Sequence, residues 1–272
     1  MIYEFRMKSI LVFLAGIALT ACVTTTNENA NYFKDEFSNH YASNVVITNP
    51  ILMKYRPFPT AKQTGELFIT TIINGQTDTK TARIKGTTKL TKIIDNLLYQ
   101  GSFTGSGHDL SIEVLLKETG EILNIEAFAE NPALTEILRE KIKELEETFT
   151  TYSVVYPGDG LKTGDYLFAD QEEILIRSSG FSFSLKRTGE VKGLVTYRQR
   201  PSILVDLEGS YGIMAPLPKI YMQGWILLDV ETGVATQTAL RMSVDVTENG
   251  QEVSFESYYF SELLLPPLSA SN

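Results

Sequence analysis

The sequence predicts an α+β protein that is mostly antiparallel β, a sandwich or a curved sheet or half-barrel, built from a duplicated meander unit with one amphipathic helix near 132–152. Three observations predict it. Apolar and polar residues alternate over long stretches, short motifs recur in the same order further along the chain, and one segment between the copies has helical periodicity.

From about residue 64 onward the pattern is that of strands. Leu110, Ile112, Val114 and Leu116 alternate with Ser111, Glu113 and Leu115, the period of two of a strand with one buried face. Glu118-Thr119-Gly120 supplies a turn, and Leu123, Ile125 and Ala127 return on the next strand. The helix follows. Asn131 is a good N-cap and Pro132 suits the first turn. Leu134, Ile137, Leu138, Ile142, Leu145 and Phe149 then recur at helical spacing. Glu136, Glu140, Glu144 and Glu147 form a solvated face whose Lys and Arg neighbours offset part of the repulsion. Its apolar stripe is expected to pack on a sheet. Later, Val234, Thr236, Thr238, Leu240, Met242, Val244 and Val246 share one face. Asn249-Gly250, a strong hairpin signal because both residues tolerate positive φ, turns the chain into Val253, Phe255, Ser257 and Tyr259.

The motifs pair up in order. Ile84-Lys85-Gly86 matches Val191-Lys192-Gly193, an offset of 107. Gln100-Gly101-Ser102-Phe103 matches Glu208-Gly209-Ser210-Tyr211, an offset of 108. Leu115-Leu116 with Glu118-Thr119-Gly120 matches Leu227-Leu228 with Glu231-Thr232-Gly233, where Gly120 and Gly233 are 113 apart. The growth in offset falls where the second copy carries Ala215-Pro216-Leu217-Pro218, a loop insertion. Each copy is then a small antiparallel meander. Two of them bury their apolar faces on each other as a sandwich, or join into a curved sheet around the helix.

The first residues carry a different signal. Met7-Lys8-Ser9 precedes the apolar run Ile10 to Ala18. A membrane-crossing helix needs about 20 such residues, so a positive head on a short greasy core reads as a secretory signal. It ends in Leu19-Thr20-Ala21-Cys22, which resembles the lipobox of bacterial lipoproteins. That resemblance implies cleavage between Ala21 and Cys22 and a diacylglycerol on the Cys22 thiol. Two or more acyl chains make a stable anchor, at about 0.8 kcal/mol per buried methylene. Val23 stands where an Asp would favour inner-membrane retention, so the resemblance implies the periplasmic face of the outer membrane, or the outer face of the plasma membrane in a Gram-positive host. Glu4 suits such a head poorly, and Met7 is the better start. The chain has one Cys, so a mature domain would have no disulfide partner, which suits an oxidising compartment.

The organisation expected is therefore a signal peptide over 1–21 and a lipidated tether over 22–44, its Thr24 to Asn31 polar and its Tyr32, Phe33 and Phe37 available for docking. A first β-rich repeat follows over 45–130, then helix and connector over 131–156, then a second β-rich repeat and apolar tail over 157–272. Without the leader 22 basic side chains face 32 acidic ones, a net charge of −10. Such a surface repels nucleic acid and anionic head groups, leaving the acyl chains to make the membrane contact.

Chemistry is sparse. The two histidines, His40 and His108, lack a second His or a Cys at ligand spacing, so no metal and no cofactor is expected. Ser106-Gly107-His108-Asp109 places Ser, His and Asp close in sequence, but adjacent strand residues face opposite ways and no Gly-x-Ser-x-Gly elbow occurs. Carboxylates are plentiful enough for a glycosidase, yet Trp225 is the one Trp, and a core position is its default. Binding is better represented. Tyr258, Tyr259 and Phe260 put aromatics on both faces of a late strand, and Leu264 and Leu265 begin an apolar, Pro-ended tail expected to fold over the core edge. The reading is a non-enzymatic lipoprotein that binds an apolar envelope molecule or an envelope protein. It loosely resembles half-barrel lipoproteins that carry lipids. The alternatives are an accessory subunit of an envelope complex, and an envelope hydrolase whose site the sequence does not display. Cys22→Ser is expected to abolish incorporation of radiolabelled palmitate and to release the chain from the membrane fraction; unchanged labelling would contradict the lipobox reading.

Overall fold

The first and last strands pair in the middle of the sheet. In a computed structural model that describes residues 39–267, apart from 74–75, 106–107, 133–134, 137–153, 169–171, 179–180, 212–218 and 249–250, eleven strands form one antiparallel sheet. They are β1 (Phe58–Ile73), β2 (Gln76–Ile93), β3 (Asn96–Gly105), β4 (His108–Leu116), β5 (Ile122–Ala129), β6 (Glu172–Ser178), β7 (Phe181–Tyr197), β8 (Arg200–Tyr211), β9 (Lys219–Asp229), β10 (Ala235–Glu248) and β11 (Gln251–Leu264). Their order across the sheet is β5-β4-β3-β2-β1-β11-β10-β9-β8-β7-β6. Every sequence neighbour except β5 and β6 is therefore a spatial neighbour, and those two form the edges. β1 pairs with β11 from Lys62↔Leu264 to Ile73↔Val253. Of the two arrangements open to the meanders, the edge-to-edge one is found.

The matched motifs occupy matching places. Gly86 lies on β2 and Gly193 on β7, Gly101 on β3 and Gly209 on β8. Gly120 and Gly233 close the turns after β4 and β9, both with positive φ, +98° and +70°. β6 to β10 and β1 to β5 run in the same sense across the sheet, with β11 between them.

Cross-strand register assigns the faces. Val114 faces Tyr99 and Ile125, Ile112 faces Gly101 and Ala127, Leu67 faces Ala82 and Tyr259, and Leu240 faces Tyr259 and Gly224. One apolar face thus runs through the sheet. On it a Cβ on Gly86 would lie 2.2 Å from the Ser102 carbonyl oxygen and one on Gly224 would lie 2.0 Å from that of Ala239. Only glycine permits so close an approach, and a sheet curves where such residues sit. We call this the inner face.

Two irregular segments close one end of the resulting trough over β7–β10. Ile51 and Leu161 exchange backbone hydrogen bonds of 2.9 Å, Tyr55 N–H donates to Glu118 and Tyr156 N–H to Thr119, while Leu167 N–H reaches Gly189. Ile47, Met53, Val154, Tyr156, Leu161 and Phe168 are thereby packed on Val191, Ile203, Val205, Ile226 and Leu228. Residues 45–56 and 157–168, assigned to the two repeats by sequence, are this closing layer rather than strand.

Other expectations divide. The helix begins where expected, with Pro132, Thr135 and Glu136 helical and Thr135 N–H bonded to the Asn131 carbonyl at 3.0 Å. Its course over 137–153, and Leu134, lie outside the described residues. The hairpin closes between Glu248 and Gln251, on either side of Asn249-Gly250. Leu123, expected inward, is 41% exposed. A bulge pairs Leu115 with Asn124 and Leu116 with Ile122, leaving Leu123 as the extra residue, and Ile122 packs in its place. Of the segment expected as a tether over 22–44, residues 39–44 are described, and there His40 is buried against the outer face.

One buried ion pair ties this end together. Arg200 donates from Nε to Asp229 Oδ2 at 2.6 Å and from Nη2 to Oδ1 at 2.9 Å, and from Nη1 to the Pro266 carbonyl at 2.9 Å. Asp229 also accepts from Thr232 N–H at 2.8 Å and its hydroxyl at 2.7 Å. It joins β8, the β9–β10 turn and the start of the tail. Asp229→Ala strands a buried guanidinium and should cost about 3–5 kcal/mol in denaturant unfolding, whereas Arg200→Met with Asp229→Leu should cost less. A single-mutant loss below about 1 kcal/mol would show the pair to be dispensable.

Candidate functional site

The middle of the inner face carries no charge. Its register positions are Gln63, Gly65, Leu67 and Ile69 on β1, and Ala82, Ile84, Gly86, Thr88 and Leu90 on β2. They continue through Leu97, Tyr99, Gly101 and Phe103 on β3 and Leu110, Ile112, Val114 and Leu116 on β4. Beyond β1 they are Ser257, Tyr259, Ser261 and Leu263 on β11, then Thr238, Leu240 and Met242 on β10, then Met222, Gly224, Ile226 and Leu228 on β9. None of these is Asp, Glu, Lys or Arg, but Lys80 lies opposite Ile69 and Lys92 opposite Leu97 at the two ends of the stretch. The two halves differ in cover. Residues 45–56 and 154–168 lie on the β7–β10 half. The β1–β5 half has a core of Phe58, Leu90, Leu97, Phe103, Ile112, Val114 and Ile125, to which only Tyr55, Val234 and Leu265 contribute from beyond the strands among the described residues.

A small polar group interrupts this apolar half. Tyr99 O–H donates to Gln63 Oε1 at 3.1 Å, a bond that spans β2, where Gly86 lies opposite Gln63. Thr88 is 1% exposed, and its hydroxyl lies beside the Tyr99 phenol, where it favours the ionised form. On the neighbouring strand, Tyr259 lies by Ser261. Between the two groups is Gly65, where a Cβ would meet nothing nearer than 3.9 Å, its neighbours being the Phe260 carbonyl, Ile84 and the Tyr259 ring. Burial pushes the Tyr99 phenol well above the ordinary tyrosine range and raises that of Tyr259.

The outer face mixes polar residues with apolar ones such as Phe68, Leu98 and Leu115, and carries one buried knot. Trp225 is 1% exposed, packed with Val195, Leu204, Leu227 and Ala239. Its Nε1 donates to Gln237 Oε1 at 2.9 Å, and His40 Nε2 donates to the same oxygen at 2.8 Å. Gln237 donates in turn to the Tyr197 hydroxyl, which is bonded to Glu262, and Arg198 Nε reaches Glu262 at 3.0 Å. The knot pins residues 39–44 to the sheet and leaves Trp225 no surface for a ligand.

Of the other residues singled out by sequence, Tyr259 faces inward, while Tyr258 and Phe260 face outward. Tyr258 lies under the Arg241 guanidinium, and Phe260 packs on the Trp225 knot. Leu264 ends β11 and Leu265 packs on the β1–β5 core, so the tail is folded over the sheet as far as the Pro266 carbonyl. Ala21 and Cys22 lie outside the described residues. Gln63, Tyr99, Thr88 and Gly65 drew no attention in the sequence, because only the register of three strands brings them together. Among the described residues no cluster of three or more His, Cys, Asp or Glu is placed to hold a metal, and no helix is long and apolar enough to cross a membrane.

No protein-family model and no curated protein matches the chain. Among solved structures, a DUF1329 family protein from Desulfovibrio piger is similar over 76% of this chain and 87% of its own, at 11% identity and a TM-score of 0.21. A score that low carries no structural argument, and the fold rests on the strands described above.

The buried phenols predict an alkaline limit. Burial pushes Tyr55 up to about 12 and, with Glu256 beside it, Tyr258 up to about 12, and it raises Tyr99, Tyr156 and Tyr259. A raised folded-state value favours the neutral form, so this contribution is complete below about pH 10 and is lost as pH rises toward 12. Melting temperature should hold to about pH 10 and then fall steeply, with late tyrosine ionisation seen by absorbance. A melting temperature unchanged at about pH 12 would contradict this burial.

Proposed function

We propose that the chain is a lipoprotein, acylated at Cys22 and held on the periplasmic side of the outer membrane, that holds an apolar envelope molecule on the inner face of its sheet and does not transform it. The observation that carries the reading is the pair of apolar cores on the inner face. One is closed by residues 45–56 and 154–168 over β7–β10, and the other gathers Phe58, Leu90, Leu97, Phe103, Ile112, Val114 and Ile125, each 8% exposed or less, over β1–β5. A concave, mostly apolar surface with a few convergent polar groups is the usual form of a small-molecule site. The lipobox supplies the compartment, and an acyl chain is the ligand that an uncharged face of this extent suits.

A second reading, an accessory subunit of an envelope complex, is favoured by β5. It is an edge strand with a neighbour on one side only, and it exposes Leu123 and Phe128. Both readings are tested in cells fed an alkyl-diazirine fatty acid, irradiated, and used to purify the full chain for peptide mass spectrometry. Lipid adducts on peptides from β1 to β4 are expected. Adducts confined to residues 22–38, with a protein crosslinked at β5, would overturn the carrier reading in favour of the adaptor.

A further inference from the structure

We infer that the outer face of β1 and β2, around Lys62, Lys85 and Lys89, is a docking surface for an anionic phospholipid bilayer and lays that side of the sheet on the membrane. The inference rests on the acylated-Cys22 part of the proposed function and is independent of any cargo. The net negative charge of the chain predicts repulsion from such a bilayer, but the fold distributes that charge unevenly.

Register gathers the three lysines. Lys62 on β1 lies opposite Thr87 on β2, and Lys85 and Lys89 flank Thr87 on the same side of that strand. Both are thus diagonal neighbours of Lys62, with Cβ atoms about 7–8 Å away. Lys62 and Lys85 are exposed and Lys89 is half-buried. Among the described residues none of the three is ion-paired. Basic side chains elsewhere have carboxylates, as Lys54 and Lys92 have Glu118, Arg198 has Glu262 and Arg241 has Glu256. The carboxylates nearest by register are already engaged. Glu66, diagonal to Lys85, is held by Arg83, and Glu262, diagonal to Lys62, is held by Arg198. The other outward neighbours, Thr64, Thr87 and Ser102, are neutral. Three like charges without counter-charges repel one another, and lipid phosphates relieve that repulsion.

Position relative to the anchor selects a membrane over other anionic partners. The described residues begin on this same face, where His40 is hydrogen-bonded to Gln237. Gln237 lies opposite Glu262, Glu262 opposite Thr64, and Thr64 opposite Lys85. Three strand spacings, about 15 Å, therefore separate Gln237 from Lys85. Cys22 precedes Asn39 by 17 residues, a length that spans at most about 60 Å. A bilayer holding the acyl chains is then within reach of the lysines without the chain passing round an edge of the sheet. Attraction to anionic lipid falls off within a Debye length, so it needs the surface brought close, which the anchor does. The inner face then points away from the bilayer.

The test uses the full acylated chain in phosphatidylcholine liposomes with and without phosphatidylglycerol, and reads lysine labelling by reductive methylation and peptide mass spectrometry. Lys162, exposed in the closing layer, is the internal reference. Phosphatidylglycerol should slow labelling of Lys62, Lys85 and Lys89 about fivefold relative to Lys162, the effect of about 1 kcal/mol per lysine at an anionic surface. Salt at about 1 M should abolish the difference. Lys85→Gln with Lys89→Gln, whose folding is checked by melting temperature, should release Lys62 from protection while the chain still floats with both liposomes. Equal labelling with and without phosphatidylglycerol would overturn the inference, as would protection of Lys62 that persists in the double variant. Protection in native membranes but not in anionic liposomes would overturn it in favour of an acidic partner protein. If the chain carries no acyl group and floats with neither liposome, the lipoprotein reading fails and the docking surface with it. Flotation without lysine protection sinks the docking surface alone.

Discussion

The pairing of β1 with β11 is the constraint on which the rest of the molecule depends. It joins strands from opposite ends of the described chain over twelve positions, Lys62–Ile73 against Val253–Leu264. Without it the two meanders would be separate sheets of five and six strands, each with an additional exposed edge. With it, one curved sheet has only β5 and β6 as edges, and the polar group has neighbours on both sides, Gln63 and Gly65 on β1 and Tyr259 and Ser261 on β11. The seam also sets the folding problem, because contacts so far apart in sequence are entropically slow to form.

Division of labour between faces follows from the same register. Inward positions in the middle of the sheet are mostly apolar, with a few hydroxyls and Gln63, and charge returns toward the strand ends at Lys80 and Lys92. Outward positions carry the pairs Arg83–Glu66 and Arg241–Glu256, exposed or half-buried and worth little to stability. The exception outside is the Trp225 knot, where His40 brings the N-terminal segment onto the sheet.

Much of this was legible in the sequence, and the illegible parts have physical reasons. Alternation found the strands around 110–116, 238–246 and 253–259, because one wet and one dry face impose a period of two. The Gly-centred motifs found the repeat, because Gly120 and Gly233 occupy backbone that disfavours other residues. The closing layer over 45–56 and 154–168 was missed, since irregular chain held by isolated backbone bonds leaves no period to read. Leu123 was misplaced by a single bulge, which inverts the expected face locally. The polar group was invisible for a deeper reason. Gln63, Thr88 and Tyr99 come from three strands, and nothing in their separate surroundings distinguishes them from ordinary strand residues.

Hydrogen exchange of backbone amides, followed strand by strand, tests the central seam most directly. If β1 and β11 are interior partners, their amides around Leu67 and Tyr259 should be among the slowest in the protein, with β5 and β6 protected along one side only. Exchange in β1 and β11 as fast as in β5 and β6 would mean that the halves are not one sheet.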